Sequence, residues 1–357
     1  MKIGDHEIGP GNPVYIIAEM SANHGGEFDR AVEILHAMKE SGADAVKLQT
    51  YTADTLTIEC DRDEFKIGGG TLWEGRTLYD LYKEASMPWE WQPKLKEVAS
   101  DLELDLFSTP YDPTSVDFLE KMDVPAYKVA SFELVDLPLI KKIASTRKPI
   151  IMSTGMASKE EIEEAIKAAK SEDNEQIALL KCTSAYPAKP EEMNLITMAD
   201  MEQGFGLPVG LSDHSLDLNV PVSAVALGAC IVEKHFTMSR SEPGPDAYFS
   251  LEPHEFKQMV EAIRAQENSP MPKEQLDETI LGKVSYGTSG QDEKSLQFRR
   301  SLFVVQNMNA GEEFSNENVR SIRPANGLPP KEIENVLGKR SKQSIERGTP
   351  LNWDLIE

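Results

Sequence analysis

Positive charge, cysteine and long apolar runs are all scarce in this chain. Only 37 Lys and Arg stand against 60 Asp and Glu in 357 residues, a formal net charge of −23. A surface this acidic repels phosphate backbones and anionic lipid, so neither nucleic acid nor membrane is an expected partner. An anionic small ligand remains admissible, but its site must gather cations locally. The three cysteines, Cys60, Cys182 and Cys230, are odd in number and widely spaced. They make neither a disulfide framework nor a CxxC zinc site and read as reduced thiols. Cys182 and Cys230 lie in apolar runs, where cysteine usually serves as a small buried hydrophobe. No stretch approaches the roughly 20 apolar residues of a membrane span. The opening MKIGDHEIGPG has neither the apolar core nor the small-residue cleavage site of a secretory leader, so the cytoplasm is the expected compartment. There is no Walker loop, and GGG at 68–70 lacks the strand-to-helix context of a dinucleotide fingerprint, so nucleotide cofactors are not expected.

What is present is an ordinary globular composition, 40% hydrophobic and 27% charged. Short β-branched or apolar runs alternate with amphipathic helical stretches from residue 14 to about residue 268. Eight runs read as strands: 14–19, 45–50, 104–109, 126–131, 149–154, 177–183, 208–213 and 230–236. Helical spacing falls between them, as at 30–40, 91–100, 115–121, 159–170 and 253–266. An eightfold βα alternation over about 250 residues predicts an α/β fold of the (β/α)8 (TIM) barrel type rather than an open sheet. The expected organisation is a catalytic barrel over 1–268, a polar Gly- and Pro-punctuated linker over 269–297, and a small module over 298–357. That module is too small for a large core and is expected to lean on another surface. The long second loop, 51–90, is expected to act as a lid.

Nearly every strand candidate starts apolar and ends polar, and in a parallel barrel all C-terminal strand ends meet on one face. His214 and His235 end adjacent strands, beside Asp213 and Glu233, and suit one divalent ion with open positions for a carbonyl oxygen and water. Lys47 and Lys128 face the same mouth and supply the local cations, although pairing with Glu19 or Glu133 is an alternative use for them. Thr109, Ser131, Ser153 and Ser212 add hydroxyl donors, each by itself a weak signal. A metal-dependent aldolase or hydrolase, or a non-catalytic glycan- or ice-binding protein, are the competing readings.

In order and spacing, IIAEMSANHGG (16–26), ADAVKLQTY (43–51), LFSTPYD (106–112), YKVASFE (127–133), IMSTGMAS (151–158), LKCTSAYP (180–187), GLSDHS (210–215) and VEKHF with EPGPDAYFS (232–250) resemble the sialic acid synthase family. IRPANGLPP (322–330) and KRSKQSIERGTPL (339–351) are similar to that family's antifreeze-like (SAF) domain. Ser21, Ala22 and Ser184, together with WEGRTLYDLYKEASMPWEWQPKL, resemble the pseudaminate branch more than the neuraminate or legionaminate ones. The resemblance implies condensation of phosphoenolpyruvate with an open-chain acetamido sugar, assisted by Mn²⁺ or Mg²⁺, with Co²⁺ also admitted, on His214 and His235. It assigns Lys47, Thr109, Lys128, Ser131, Ser153, Ser184 and Ser212 to phosphoenolpyruvate, and Gln49, Glu133, Tyr186 and Asp246 to the sugar. Glu233 would flank the metal, and Glu19 would manage the attacking water or a cationic intermediate. The family further implies a homodimer in which the C-terminal domain caps the other subunit and Arg323 reaches the partner's sugar.

Overall fold

The computed structural model describes residues 1–68, 73–288 and 290–357. Gly69 and Gly70 of the glycine triplet, and the stretch 71–72 of the second loop, lie outside the described residues. A two-stranded hairpin, β1 (Lys2–Ile3) and β2 (His6–Glu7), precedes the barrel. Eight parallel strands then close on themselves: β3 (Tyr15–Glu19), β4 (Ala45–Thr50), β5 (Asp105–Pro110), β6 (Tyr127–Val129), β7 (Ile150–Ser153), β8 (Ile177–Cys182), β9 (Val209–Asp213) and β10 (Ile231–His235). β10 pairs with β3 to complete the ring. All eight strands expected from the sequence are there.

The principal helices around the ring are α1 (Phe28–Glu40), α4 (Gln92–Asp101), α5 (Pro113–Met122), α6 (Leu137–Ala144), α7 (Lys159–Lys170), α8 (Thr197–Phe205), α9 (Asn219–Ala226) and α10 (Pro253–Asn268), with α2 (Ala53–Leu56) and α3 (Leu78–Ala85) built into the second loop. Local chemistry starts them cleanly. Asp112 caps α5 by accepting the Thr114 and Ser115 amides, with Pro113 at the first turn, and Ser158 and Glu161 form a reciprocal box on α7. Their apolar faces pack on strands such as Tyr15–Glu19, buried along its whole length. Complete burial of each Ile, Leu or Val contributes about 1.5–3 kcal/mol, which is why the alternation of apolar runs dictates the layers.

The segment read as a linker is packed rather than free. α11 (Glu278–Leu281) and its approach place Leu276 and Ile280 in the main core, and a helical turn, Gly290–Phe298, leads into the last module. There β11 (Ser301–Val304) pairs antiparallel with β12 (Val319–Ile322), and α12 (Ile333–Val336) follows. The module has a small core of its own around Leu302, Val304, Phe314 and Leu351. It also leans, as expected of its size, but on its own chain: Phe303, Val305 and Ile322 pack with Ile58 and Phe65 of the second loop. The same surfaces are satisfied in cis, with the Arg323 amide donating to Leu56 C=O at 3.0 Å.

Candidate active site

Strand register assembles the mouth. Residues two apart along a strand share a face, so Lys47 and Gln49, or Glu233 and His235, project together. Pairing sets His235 beside Glu19, Glu19 beside Lys47, and Ser212 beside Glu233. The result is a cleft enclosing about 860 Å³ out to open solvent. Of the residues expected from the sequence, Lys47, Gln49, Lys128, Ser131, Ser153, Tyr186, Ser212, His214, Glu233, His235, Asp246 and Arg323 line it. Glu19, Thr109, Glu133 and Ser184 stand one contact behind that lining. Lys47 Nζ meets Glu19 at 2.6 Å and donates to Thr109 Oγ1 at 3.3 Å. Gln49 donates to Glu19 at 2.9 Å.

Charge at the floor is balanced among four buried groups. Lys47 lies 3.5 Å and Lys128 3.9 Å from Glu233. Burial alone would lower both ammonium groups. Glu19 and Glu233 overcome it at Lys47, whose pKa is raised, whereas burial prevails at Lys128, whose pKa falls. Burial also raises Glu19, while at Glu233 the same penalty is outweighed by Lys128 and Lys47, which hold that carboxyl below its ordinary value. Lys128 donates to Ser153 Oγ at 2.6 Å, leaving further N–H capacity for an anion.

The two histidines are brought together, with ring centroids 5.3 Å apart. His214 Nδ1 lies 3.0 Å from the Thr183 carbonyl, which only accepts, so Nδ1 carries a proton and Nε2 is the nitrogen turned to the cleft; burial alone would lower this ring, but Cys182 outweighs it and the pKa rises. His235 Nδ1 is buried with no hydrogen-bond partner, and burial, then His214 and Lys47, keep that ring neutral by pushing its pKa well below 6.5. A buried imidazole with an unused nitrogen beside a second imidazole fits a divalent cation. Among the described residues no group of three His, Cys, Asp or Glu side chains is arranged to hold a metal, so two protein ligands would leave the remaining positions open. Asp213, expected next to the pair, faces away. Its carboxylate takes Lys234 Nζ and the Ser215 amide on the outer side of the sheet.

The upper wall is aromatic. Arg323 donates to Glu133 Oε1 at 2.7 Å and lies over the rings of Phe132, Tyr82 and Tyr111 at 4.8–5.5 Å. Glu133, expected on the sugar side, is fully buried between Arg323 and Arg300. Three contributors were not singled out from the sequence as site residues. Ser21, noted only for its branch, hydrogen-bonds Asp246 and receives Gln49. Arg300 grips Glu133 from the module, and its signal was the charged pair directly before an apolar strand. Cys182 lines the cleft instead of filling core, 3.9 Å from His214 Nδ1, and its register with Ser212 was the available clue. Burial alone would raise the Cys182 thiol, but His214 more than offsets it and the pKa falls.

A closed parallel barrel that concentrates two lysines, two imidazoles and two carboxylates under a small cap is the build of a barrel enzyme handling an anion. The NeuB family model matches residues 34–274 and the SAF domain model residues 299–357, and the chain belongs to the NeuB family. A pseudaminic acid synthase of Helicobacter pylori is 43% identical over 345 residues, 97% of this chain and 98% of that protein. An N,N'-diacetyllegionaminic acid synthase of Legionella pneumophila is 37% identical over 352 residues, 96% of this chain and 94% of that protein. The crystal structure of the spore coat polysaccharide biosynthesis protein SpsE from Bacillus subtilis superimposes with a TM-score of 0.87 at 34% identity, covering 100% of this chain and 99% of that one.

Proposed function

We propose that the chain is a pseudaminic acid synthase, joining phosphoenolpyruvate to 2,4-diacetamido-2,4,6-trideoxy-L-altrose and water to give pseudaminic acid and phosphate. The observation that carries this reading is the pair Lys47 and Lys128 on either side of Glu233, beneath the adjacent imidazoles of His214 and His235. The identity of 43% to named pseudaminic acid synthases supports the pseudaminate branch over the legionaminate or neuraminate one.

Lys47 and Lys128 would neutralise the phosphate and carboxylate of phosphoenolpyruvate, with Thr109, Ser131, Ser153, Ser184 and Ser212 supplying or supporting hydroxyl donors. Gln49, Tyr186 and Asp246 would orient the sugar, with Arg323 held in place by Glu133. A Mn²⁺ or Mg²⁺ ion on His214 and His235 would supply Lewis acidity at the sugar aldehyde. Carbon 3 of phosphoenolpyruvate bonds to the aldehyde carbon, whose oxygen takes a proton. Water adds to carbon 2, and the C–O bond to phosphate breaks, leaving the 2-keto acid. Glu19, raised by burial yet paired with Lys47, would manage that water or steady the cationic intermediate from just behind the lining.

The assay incubates the chain with phosphoenolpyruvate, Mn²⁺ and a panel of mono- and diacetamido hexoses, reading phosphate and keto acid. Metal-dependent turnover fastest with the 2,4-diacetamido-6-deoxy sugar is expected, and preference for N-acetylmannosamine would move the chain to the neuraminate branch. His214→Ala or His235→Ala should lower metal-dependent kcat by about a hundredfold or more, and retained turnover would refute the ligand assignment. We further place the enzyme in the cytoplasm, on its three free cysteines, and as a homodimer in which the C-terminal domain, carried on the 269–297 linker, caps the other subunit. Gel filtration at low micromolar concentration checks the dimer, and a monomer peak would remove it.

A further inference from the structure

β8 ends at Cys182, so the barrel ladder no longer satisfies the peptide of Ser184, which is nonetheless completely buried. Buried backbone groups need partners. Here the connector to the C-terminal module attends to that peptide: Ser295 Oγ donates to the Ser184 carbonyl at 2.6 Å, and the Ser184 backbone in turn draws the Asp292 carboxyl down against burial. Asp292 and Ser295 are themselves buried. The Ser184 hydroxyl is thereby set beside Ser131 Oγ, against the bare Cα of Gly155. The same helical turn reaches outward as well. Gln297 Oε1 accepts the Gly68 amide of the second loop at 3.1 Å, and its carbonyl accepts the Ala325 amide of the module at 3.2 Å. Phe298 packs edge-on against Trp73 at 5.6 Å in the cleft wall.

We infer that Asp292 and Ser295 are positioning residues that set the Ser184 hydroxyl at the phosphoenolpyruvate end of the site, making affinity for that substrate depend on how the connector is seated. This rests on the functional reading above. A carboxylate is a costly choice for a purely structural acceptor in this place. Burial lifts Asp292 to about 6, Lys181 only partly offsets it, and its Oδ1 has no partner. Lys181, spent on the Cys182 carbonyl at 3.1 Å, steadies the preceding turn of the same strand end.

The test measures phosphate release by Asp292→Ala, Asp292→Asn and Ser295→Ala, varying each substrate separately, with thermal melting alongside. Losing one buried hydrogen bond of this kind should raise the KM for phosphoenolpyruvate about tenfold in each Ala variant, leaving kcat and the sugar KM within about twofold. Asp292→Asn keeps an acceptor and should recover most of the loss. The inference is overturned if the phosphoenolpyruvate KM stays unchanged in both Ala variants, if Asp292→Asn is no better than Asp292→Ala, or if both KM values, kcat and melting temperature shift together. A wild-type chain that releases no phosphate overturns the functional reading and this inference with it, whereas an active wild type with unaltered variants overturns the inference alone.

Discussion

Single side chains in this barrel carry either a charge or a shape that nothing nearby can replace. Lys234 and Asp213 form an ion pair almost wholly shielded from water, and among the described residues each is the other's only counter-ion within 4 Å. Removing one leaves a buried charge unmatched, which typically costs about 3–5 kcal/mol. Lys234→Ala is therefore expected to lower the urea midpoint of the metal-free protein markedly, and a shift below about 1 kcal/mol would mean that water reaches Asp213. Gly155 is a matter of shape. A Cβ there would collide with Ser184 Oγ and come within 2.8 Å of Ser131 Oγ. Gly155→Ala should raise the KM for phosphoenolpyruvate more than that for the sugar, because only the serine end is displaced. Equal effects on both would point to general disruption.

At the scale of elements, periodicity made the eight barrel strands readable, since each is an apolar run whose inward and outward positions alternate before a polar end. The N-terminal hairpin was not readable, because strands of two residues have no period to detect. In segment 269–297, read as a linker, the polar composition conceals Leu276 and Ile280, both buried in the main core. The site was legible wherever strand ends carried chemistry, as at Lys47, Lys128 and His235. It was not legible at Cys182, Ser21 or Arg300, whose roles come from neighbours distant in sequence. The loop after β3 carries a titration of its own. His24 accepts the Gly26 amide at 3.0 Å and meets the edge of Trp91 at 5.8 Å, and burial depresses its pKa to about 4. As pH falls from 7 to 5 the unfolded chain takes up a proton that the folded chain refuses, so stability drops, by about 2 kcal/mol from this residue. His24→Gln should flatten the urea midpoint over that range, and an unchanged slope would show that His24 does not resist protonation.

For the whole molecule, the net charge of −23 and the two lysines of the site, Lys47 and Lys128, act over different distances. At about 10 mM salt the screening length is roughly 30 Å and the entire acidic surface opposes an approaching anion, whereas at 150 mM it is about 8 Å and only the mouth is felt. Raising ionic strength through that range should increase kcat/KM for phosphoenolpyruvate, and a steady fall instead would show that the mouth dominates at long range. The cap presents a related economy. Its docking surface on the second loop is small, built around Ile58, Phe65, Phe303, Val305 and Ile322, yet the covalent connector keeps the two faces at a local concentration in the millimolar range. Arg300 and Arg323 of the cap also hold the fully buried Glu133 of the barrel from two sides, so seating the cap and balancing that carboxylate are one event, and a cap drawn away would strand Glu133 without a counter-ion.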